Sequence, residues 1–170
     1  ANTDIVLAVA KALSNYSIPI ILDPVIVSSS GHRLLSLEAQ DVIKEKLLPL
    51  STLITPNIPE MQALTNMPHS SLKEKELAAQ RLMNYGVKAV LLKGGHSIND
   101  ANDLLYENGT YLWFEGKRIN NPNTHGTGCT LSSAIAANLA KGFTLAESVK
   151  RAKDYISGAL TAMLDLGKGS

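Results

Sequence analysis

A glycine-rich run at residues 123–129, with the sequence NTHGTGC, could bind an anion. Its glycines, Gly126 and Gly128, let the backbone turn tightly and approach a ligand without a Cβ in the way. Small and apolar residues follow over 131–140 and predict a helix, whose first N–H groups have no partner within the helix. With the helix dipole, they would suit a triphosphate or the charge on a transferring phosphoryl group. The alternative is an ordinary glycine-rich helix start, and the Gly-Lys-Ser/Thr of a Walker A loop does not follow.

Cys129 lies in the first turn of that predicted helix. The positive end of the helix dipole would favour its thiolate. Such a thiolate could take a proton from an attacking hydroxyl, or the side chain could line a substrate pocket. The alternative is that Cys129 packs as a small buried apolar residue.

Asn57 and Glu60 are spaced i and i+3 around Pro59 and can share one face of a first helical turn. A carboxylate and an amide there could hold Mg²⁺ through water molecules, because Mg²⁺ keeps several waters and needs few protein carboxylates. The alternative is that Asn57 caps the helix and Glu60 interacts with its dipole. Asp23 has the same ambiguity, since it could be a metal-shell carboxylate or a turn residue before Pro24.

Lys93 stands at the end of an apolar run and precedes two glycines, so it could meet a phosphate. The alternative is a solvated lysine that ends a strand. The four histidines show no metal-ligand spacing; they are His32, His69, His96 and His125.

Three short apolar runs, at residues 18–22, 53–55 and 89–92, predict buried strands. They alternate with helical patterns, so the sequence predicts an α/β domain with a mostly parallel sheet. Asn108 and Gly109 separate two further apolar runs and predict a hairpin. Ligands of parallel sheets bind at the carboxyl ends of the strands, where this chain places Asp23, residues 55–60 and residues 93–95. Helices are predicted from about 3 to 13, 36 to 48, 71 to 86, 128 to 142 and 144 to 164.

The composition fits one folded domain: of 170 residues, 45% are hydrophobic and 18% charged, and the net charge is +1. Basic residues are scattered, which gives no indication of nucleic-acid binding. No apolar run approaches the roughly 20 residues that span a bilayer. The single cysteine excludes an internal disulfide and fits a reducing cytosol, so we expect a cytoplasmic protein.

Taken together, four segments resemble the C-terminal part of the hydroxymethylpyrimidine/phosphomethylpyrimidine kinases of thiamin biosynthesis, in the ribokinase-like superfamily. They occur in that family's order and span nearly the whole chain: residues 22–27 with Ser30 and Gly31, 53–60, 90–96 and 123–133. The resemblance implies a three-layer α/β/α sandwich and one kinase domain over residues 1–170. It also implies that the chain is incomplete at both ends and lacks the family's N-terminal strands.

The same resemblance implies the reaction, which is transfer of the ATP γ-phosphate to 4-amino-5-hydroxymethyl-2-methylpyrimidine and then to its monophosphate. Mg²⁺ is the expected metal cofactor. We expect the protein to be a homo-oligomer, namely a dimer. A pyridoxal kinase, or a non-catalytic kinase-like module, are the alternatives. It further implies these site residues: Gly126, Thr127, Gly128 and Cys129 at the anion hole; Lys93, Gly95 and Thr124 near the nucleotide; Val25 and Cys129 at the pyrimidine; and Asp23, Asn57 and Glu60 around Mg²⁺.

Overall fold

The computed structural model describes residues 2–26, 34–94, 102–116, 119 and 126–162. Its centre is one five-stranded sheet, in the order in which the strands occur along the chain. The strands are β1 (Ile21–Leu22), β2 (Leu53–Ile54), β3 (Ala89–Lys93), β4 (Asp103–Glu107) and β5 (Thr110–Phe114).

The sheet is mixed, so the prediction of a mostly parallel sheet is wrong. β1, β2 and β3 pair in parallel, whereas β3 with β4 and β4 with β5 pair antiparallel. The predicted hairpin is confirmed, and it is the reason for the difference. Asn108 and Gly109 both have positive φ, as a two-residue turn between antiparallel strands requires. The hairpin extends the sheet instead of lying outside it.

In the part of the chain that the structure describes, six α-helices pack around the sheet: α1 (Thr3–Leu13), α2 (Leu37–Val42), α3 (Ile58–Thr65), α4 (Leu72–Met83), α5 (Thr127–Ala140) and α6 (Leu145–Thr161). The helix predicted over 36–48 is regular only in α2. A π-helical turn (Ile43–Leu47) and a 3-10 turn (Leu48–Leu50) follow it. Pro49 has no N–H to donate to a preceding carbonyl, so the regular helix cannot continue through it.

Three of these helices begin with a capping box, in which the first side chain and a glutamate three residues on bond each other's backbone. The pairs are Asn57 with Glu60, Ser71 with Glu74, and Thr144 with Glu147. The backbone bond from Ser71 lowers the pKa of Glu74, and the Thr144 hydroxyl lowers the pKa of Glu147. Each box satisfies amides that a helix start leaves unpaired.

Helices cover both faces of the sheet, which confirms the three-layer arrangement. Along β3, Val90 and Leu92 belong to one buried cluster with residues of α1 to α4, whereas Ala89 and Leu91 belong to a second with residues of α5 and α6. Successive side chains of a strand point to opposite faces, so a continuous apolar run serves both layers. Within the described residues, no helix combines the length and apolarity that crossing a bilayer would take.

Candidate functional site

The parallel strands β1, β2 and β3 end at one edge of the sheet, and a polar side chain follows or closes each strand. The Lys93 Nζ lies 2.9 Å from the Asp23 Oδ1. The Thr55 hydroxyl donates to the same oxygen at 3.1 Å. The side chains of Lys93 and Asp23 are only 16% and 14% exposed, so solvent screens this ion pair little. The three strand ends therefore form one charged cluster, as the sequence pattern predicts for Asp23 and Lys93.

The amino end of α5 lies directly beside this cluster. A Cβ placed on Gly128 would lie 3.2 Å from the Lys93 Nζ, so the absence of a side chain gives the ammonium room there. Gly126 is the N-cap residue of α5, with φ +80°, and it has no side chain that could cap the helix. Instead, its carbonyl accepts a bond from the Thr130 hydroxyl at 2.9 Å. A lysine and the positive end of a 14-residue helix thus face the same space.

Cys129 is exposed and belongs to the same group of residues. Burial on its protein side raises the pKa of the Cys129 thiol, and the charge of Asp23 and a hydrogen bond to it raise that pKa further. The Lys93 charge and the backbone amide act in the opposite direction but are weaker. The expectation of a favoured thiolate is therefore wrong, because desolvation and Asp23 together outweigh the Lys93 charge and the backbone amide.

Asn57 and Glu60 form the capping box of α3. The Asn57 side chain accepts from the Glu60 amide at 2.8 Å, and the Glu60 Oε2 accepts from the Asn57 amide at 2.8 Å. Asn57 also forms a parallel bridge with Lys93, whose amide donates to the Pro56 carbonyl at 2.9 Å. The start of α3 is thereby attached to the end of β3.

Glu60 is only 3% exposed and faces the charges of Lys93 and Asp23. Burial raises the pKa of Glu60; the bond from the Asn57 amide and the Lys93 charge oppose the rise, and the Asp23 charge adds to it. A cation beside both carboxylates would offset this desolvation and repulsion, so the donor set fits Mg²⁺. Within the described ranges, no group of three or more His, Cys, Asp or Glu lies close enough to hold a metal ion by itself.

Two other predicted site residues, Gly95 and Thr124, lie outside the described residues. Val25 is 42% exposed and borders an apolar cleft of about 450 Å³. Asp23 and side chains of α1 line the same cleft. Val25 therefore lies where an apolar part of a ligand could approach the charged cluster.

Sequence reasoning missed the contact made by Thr55 and the pairing of Asp103 with Lys153. The strand-end rule already places residues 55–60 at this edge, but it does not show that the Thr55 hydroxyl donates to Asp23. Asp103 and Lys153 are 50 residues apart, and nothing in their local sequence indicates that they meet.

The profile of the phosphomethylpyrimidine kinase family matches residues 1–170. A hydroxymethylpyrimidine/phosphomethylpyrimidine kinase of Haemophilus influenzae is 40% identical over 174 residues, which cover 99% of this chain and 65% of that protein. The structure of phosphomethylpyrimidine kinase from Clostridium difficile matches with a TM-score of 0.79 and 34% identity, over 92% of this chain and 64% of that one. An ADP complex of Bacillus subtilis pyridoxal kinase matches with a TM-score of 0.85 and 32% identity, over 97% and 63%. The chain thus spans less than two thirds of the length of these relatives.

Proposed function

Because the chain belongs to the phosphomethylpyrimidine kinase family and has the ribokinase-like fold, we propose that the protein phosphorylates 4-amino-5-hydroxymethyl-2-methylpyrimidine and then its monophosphate. ATP is the phosphoryl donor, and the products serve thiamin biosynthesis. One observation carries the proposal: Lys93, paired with Asp23, lies against the first turn of α5. An ammonium and a helix start that converge on one space are suited to a phosphoryl group.

In the proposed reaction, the γ-phosphoryl group lies at the start of α5. The backbone amides of Gly126, Thr127 and Gly128 stabilise the charge on its oxygens, and Lys93 neutralises part of it. Phosphoryl transfer depends mainly on such positioning and charge stabilisation, with little covalent chemistry by the protein. Residues Gly95 and Thr124 belong to the same proposed nucleotide site.

Cys129 is the proposed proton acceptor for the substrate hydroxyl. Because the raised pKa keeps the thiol protonated, Cys129 would pass its own proton to the Asp23 carboxylate as the sulfur takes the proton of the substrate hydroxyl. Cys129 and Val25 also contact the pyrimidine ring, one from the helix start and the other from the apolar cleft.

Mg²⁺ would be held by Asp23 and Glu60 through water molecules, where it would neutralise phosphate charge. Asn57 is proposed to support this site from the capping box, where it holds Glu60 in place. Lys93 would share the Asp23 carboxylate with the Mg²⁺ ion, because its ammonium already pairs with Asp23.

A pyridoxal kinase is the second candidate, because the Bacillus subtilis pyridoxal kinase has a similar fold at 32% identity. In this chain, both candidate activities would use the proposed phosphate site, so the acceptor ring is what an experiment must distinguish. A non-catalytic binding module is a weaker alternative, because such a module needs neither Lys93 nor Cys129 beside the helix start.

The decisive experiment offers MgATP, hydroxymethylpyrimidine and pyridoxal at equal concentrations to the protein at its full natural length. Mass spectrometry then identifies the products. We expect the pyrimidine monophosphate and diphosphate. Pyridoxal phosphate alone would assign the protein to the second candidate, and no product from folded protein would favour the binding module.

We also propose that the protein is a cytoplasmic homodimer; the single cysteine fits the reducing cytosol. Sedimentation equilibrium of the protein at its full natural length would measure the mass in solution, and cell fractionation would test the location. A monomer at micromolar concentration would contradict the proposed dimer.

A further inference from the structure

A buried ion pair lies next to the candidate site but is not part of it. The Lys153 Nζ, from α6, is 2.5 Å from the Asp103 Oδ2 at the start of β4. The other carboxylate oxygen of Asp103 accepts a hydrogen bond from the Gly94 amide at 3.0 Å. The two side chains are 13% and 9% exposed, so the pair is largely removed from water. Asp103 thus connects α6 to the residue that follows Lys93.

Asp103 is also the direct partner of Lys93 in the pairing of β3 with β4. Directly opposite residues of an antiparallel pair project to the same face, with Cβ atoms about 5 Å apart. Lys93 could therefore pair with Asp103 across the strands. Its ammonium instead lies 2.9 Å from Asp23, beside Gly128. Lys153 occupies the place that Lys93 would take on Asp103.

We propose that Lys153 is a positioning residue for nucleotide binding and that it acts through its ion pair with Asp103. Lys153 neutralises Asp103, so that Lys93 stays on Asp23 and faces the start of α5. Asp103 in turn holds the Gly94 amide and fixes the end of β3. The consequence for MgATP affinity rests on the proposed function, whereas the position of Lys93 does not.

The reasoning follows from the cost of a buried charge without a partner. If Lys153 lost its charge, the Asp103 carboxylate would be left unpaired in a poorly solvated place. Lys93 is the cation directly opposite Asp103 in the strand pair, and it would then leave Asp23. The ammonium would move away from the start of α5, and the Asp23 carboxylate would repel a phosphate there.

An ordinary structural ion pair predicts different behaviour. If the pair only held α6 on the sheet, removing either charge would be equally harmful, and nucleotide affinity would follow stability. The positioning role predicts an asymmetry. Lys153→Met leaves a competing carboxylate, whereas Asp103→Asn removes the competitor and keeps an oxygen that can accept from the Gly94 amide.

The first test is a crystal structure of the Lys153→Met variant at full natural length. We expect the Lys93 Nζ to lie about 3 Å from Asp103 and to have left Asp23. If Lys93 remains on Asp23, the proposal is refuted, whatever the protein's activity. If Lys153→Met does not fold, the structure of Asp103→Asn replaces it, and Lys93 must then remain on Asp23.

The second test measures the dissociation constant of MgATP by titration. Lys153→Met should raise it about tenfold or more, because a charge-assisted contact is lost. Asp103→Asn, and the double variant with both changes, should stay within about threefold of the unmodified protein. Lys150→Met is the matched control, since it breaks an exposed pair with Asp154 one turn earlier on α6 and should change nothing.

The outcomes separate the two proposals. Equal loss of affinity in Lys153→Met and Asp103→Asn would overturn the positioning role. Recovery of affinity in the double variant, at unchanged melting temperature relative to Lys153→Met, would support it. Failure of the unmodified protein to bind MgATP would count against the proposed function, and the crystal structure would still decide where Lys93 lies.

Discussion

The substitution Gly128→Ala should separate nucleotide binding from stability, because it affects them in opposite directions. Gly128 is the second residue of α5, and its φ is not in the positive range. An added methyl would lie 3.2 Å from the Lys93 Nζ, whereas ordinary contacts are about 3.5–4.0 Å. The ammonium must therefore move by a few tenths of an ångström, away from the helix start.

The magnitudes follow from these contacts. Alanine is favoured over glycine in a helix by up to about 1 kcal/mol, so stability should be unchanged or slightly higher. A charge-assisted hydrogen bond contributes about 1.5–3 kcal/mol. If the shift costs about 1 kcal/mol of that contact with the phosphate, the dissociation constant of MgATP rises about fivefold.

The assay is a MgATP titration of the full-length protein, with thermal unfolding measured on the same sample. Gly158→Ala is the matched control: it lies in α6, and an added Cβ there would meet nothing within 4 Å. The control should raise the melting temperature by about 2–4 °C and leave affinity unchanged. If Gly128→Ala binds MgATP as tightly as this control, the placement of phosphate between Lys93 and α5 is refuted.

Three further predictions concern Cys129, Glu60 and Asn57. Cys129→Ala should lower kcat about 10²-fold with an unchanged KM for ATP. Because the pKa of the thiol is raised, the rate of the unmodified enzyme should still increase at alkaline pH. Full turnover by the variant in a steady-state assay would contradict the base role. Glu60→Gln should raise the Mg²⁺ requirement measured by metal titration. Because the pKa of Glu60 is raised, its contribution to stability is present below the ordinary pKa and declines as pH rises through the raised value; urea unfolding of the variant across that range should lack this decline, and an identical pH dependence would contradict it. Asn57→Ala removes a helix cap and should cost about 1 kcal/mol in urea unfolding, so an unchanged midpoint would show that the cap contributes little.

Much of the site could be predicted because it follows from local rules. Apolar runs bounded by polar residues gave the positions of β1 to β3, and the rule for parallel sheets placed Asp23 and Lys93 at one edge. The capping pattern of Asn57 and Glu60 was likewise visible in the sequence as one of two alternatives. Each of these depends on residues close together in the chain, or on a general property of strand ends.

The remainder depends on contacts between distant residues. Helix position alone indicates a favoured thiolate at Cys129, but burial and then Asp23, which is distant in the sequence, raise the pKa of the thiol. The hairpin was recognised from Asn108 and Gly109, yet nothing local showed that it joins the sheet beside β3. The sequence likewise does not show that Lys153 of α6 pairs with Asp103. Helical periodicity indicates which face of a helix is buried but not which residues that face contacts.

The antiparallel hairpin has a practical consequence, because its turn lies at the end of the sheet opposite the candidate site. β4 begins at the site edge with Asp103 and runs four steps to Glu107, about 14 Å at a strand's rise per residue. The turn at Asn108 and Gly109 is exposed and lies at the opposite edge. A short affinity handle inserted between these two residues would therefore tether the protein to a sensor surface with the edge that carries Lys93 turned toward the solution.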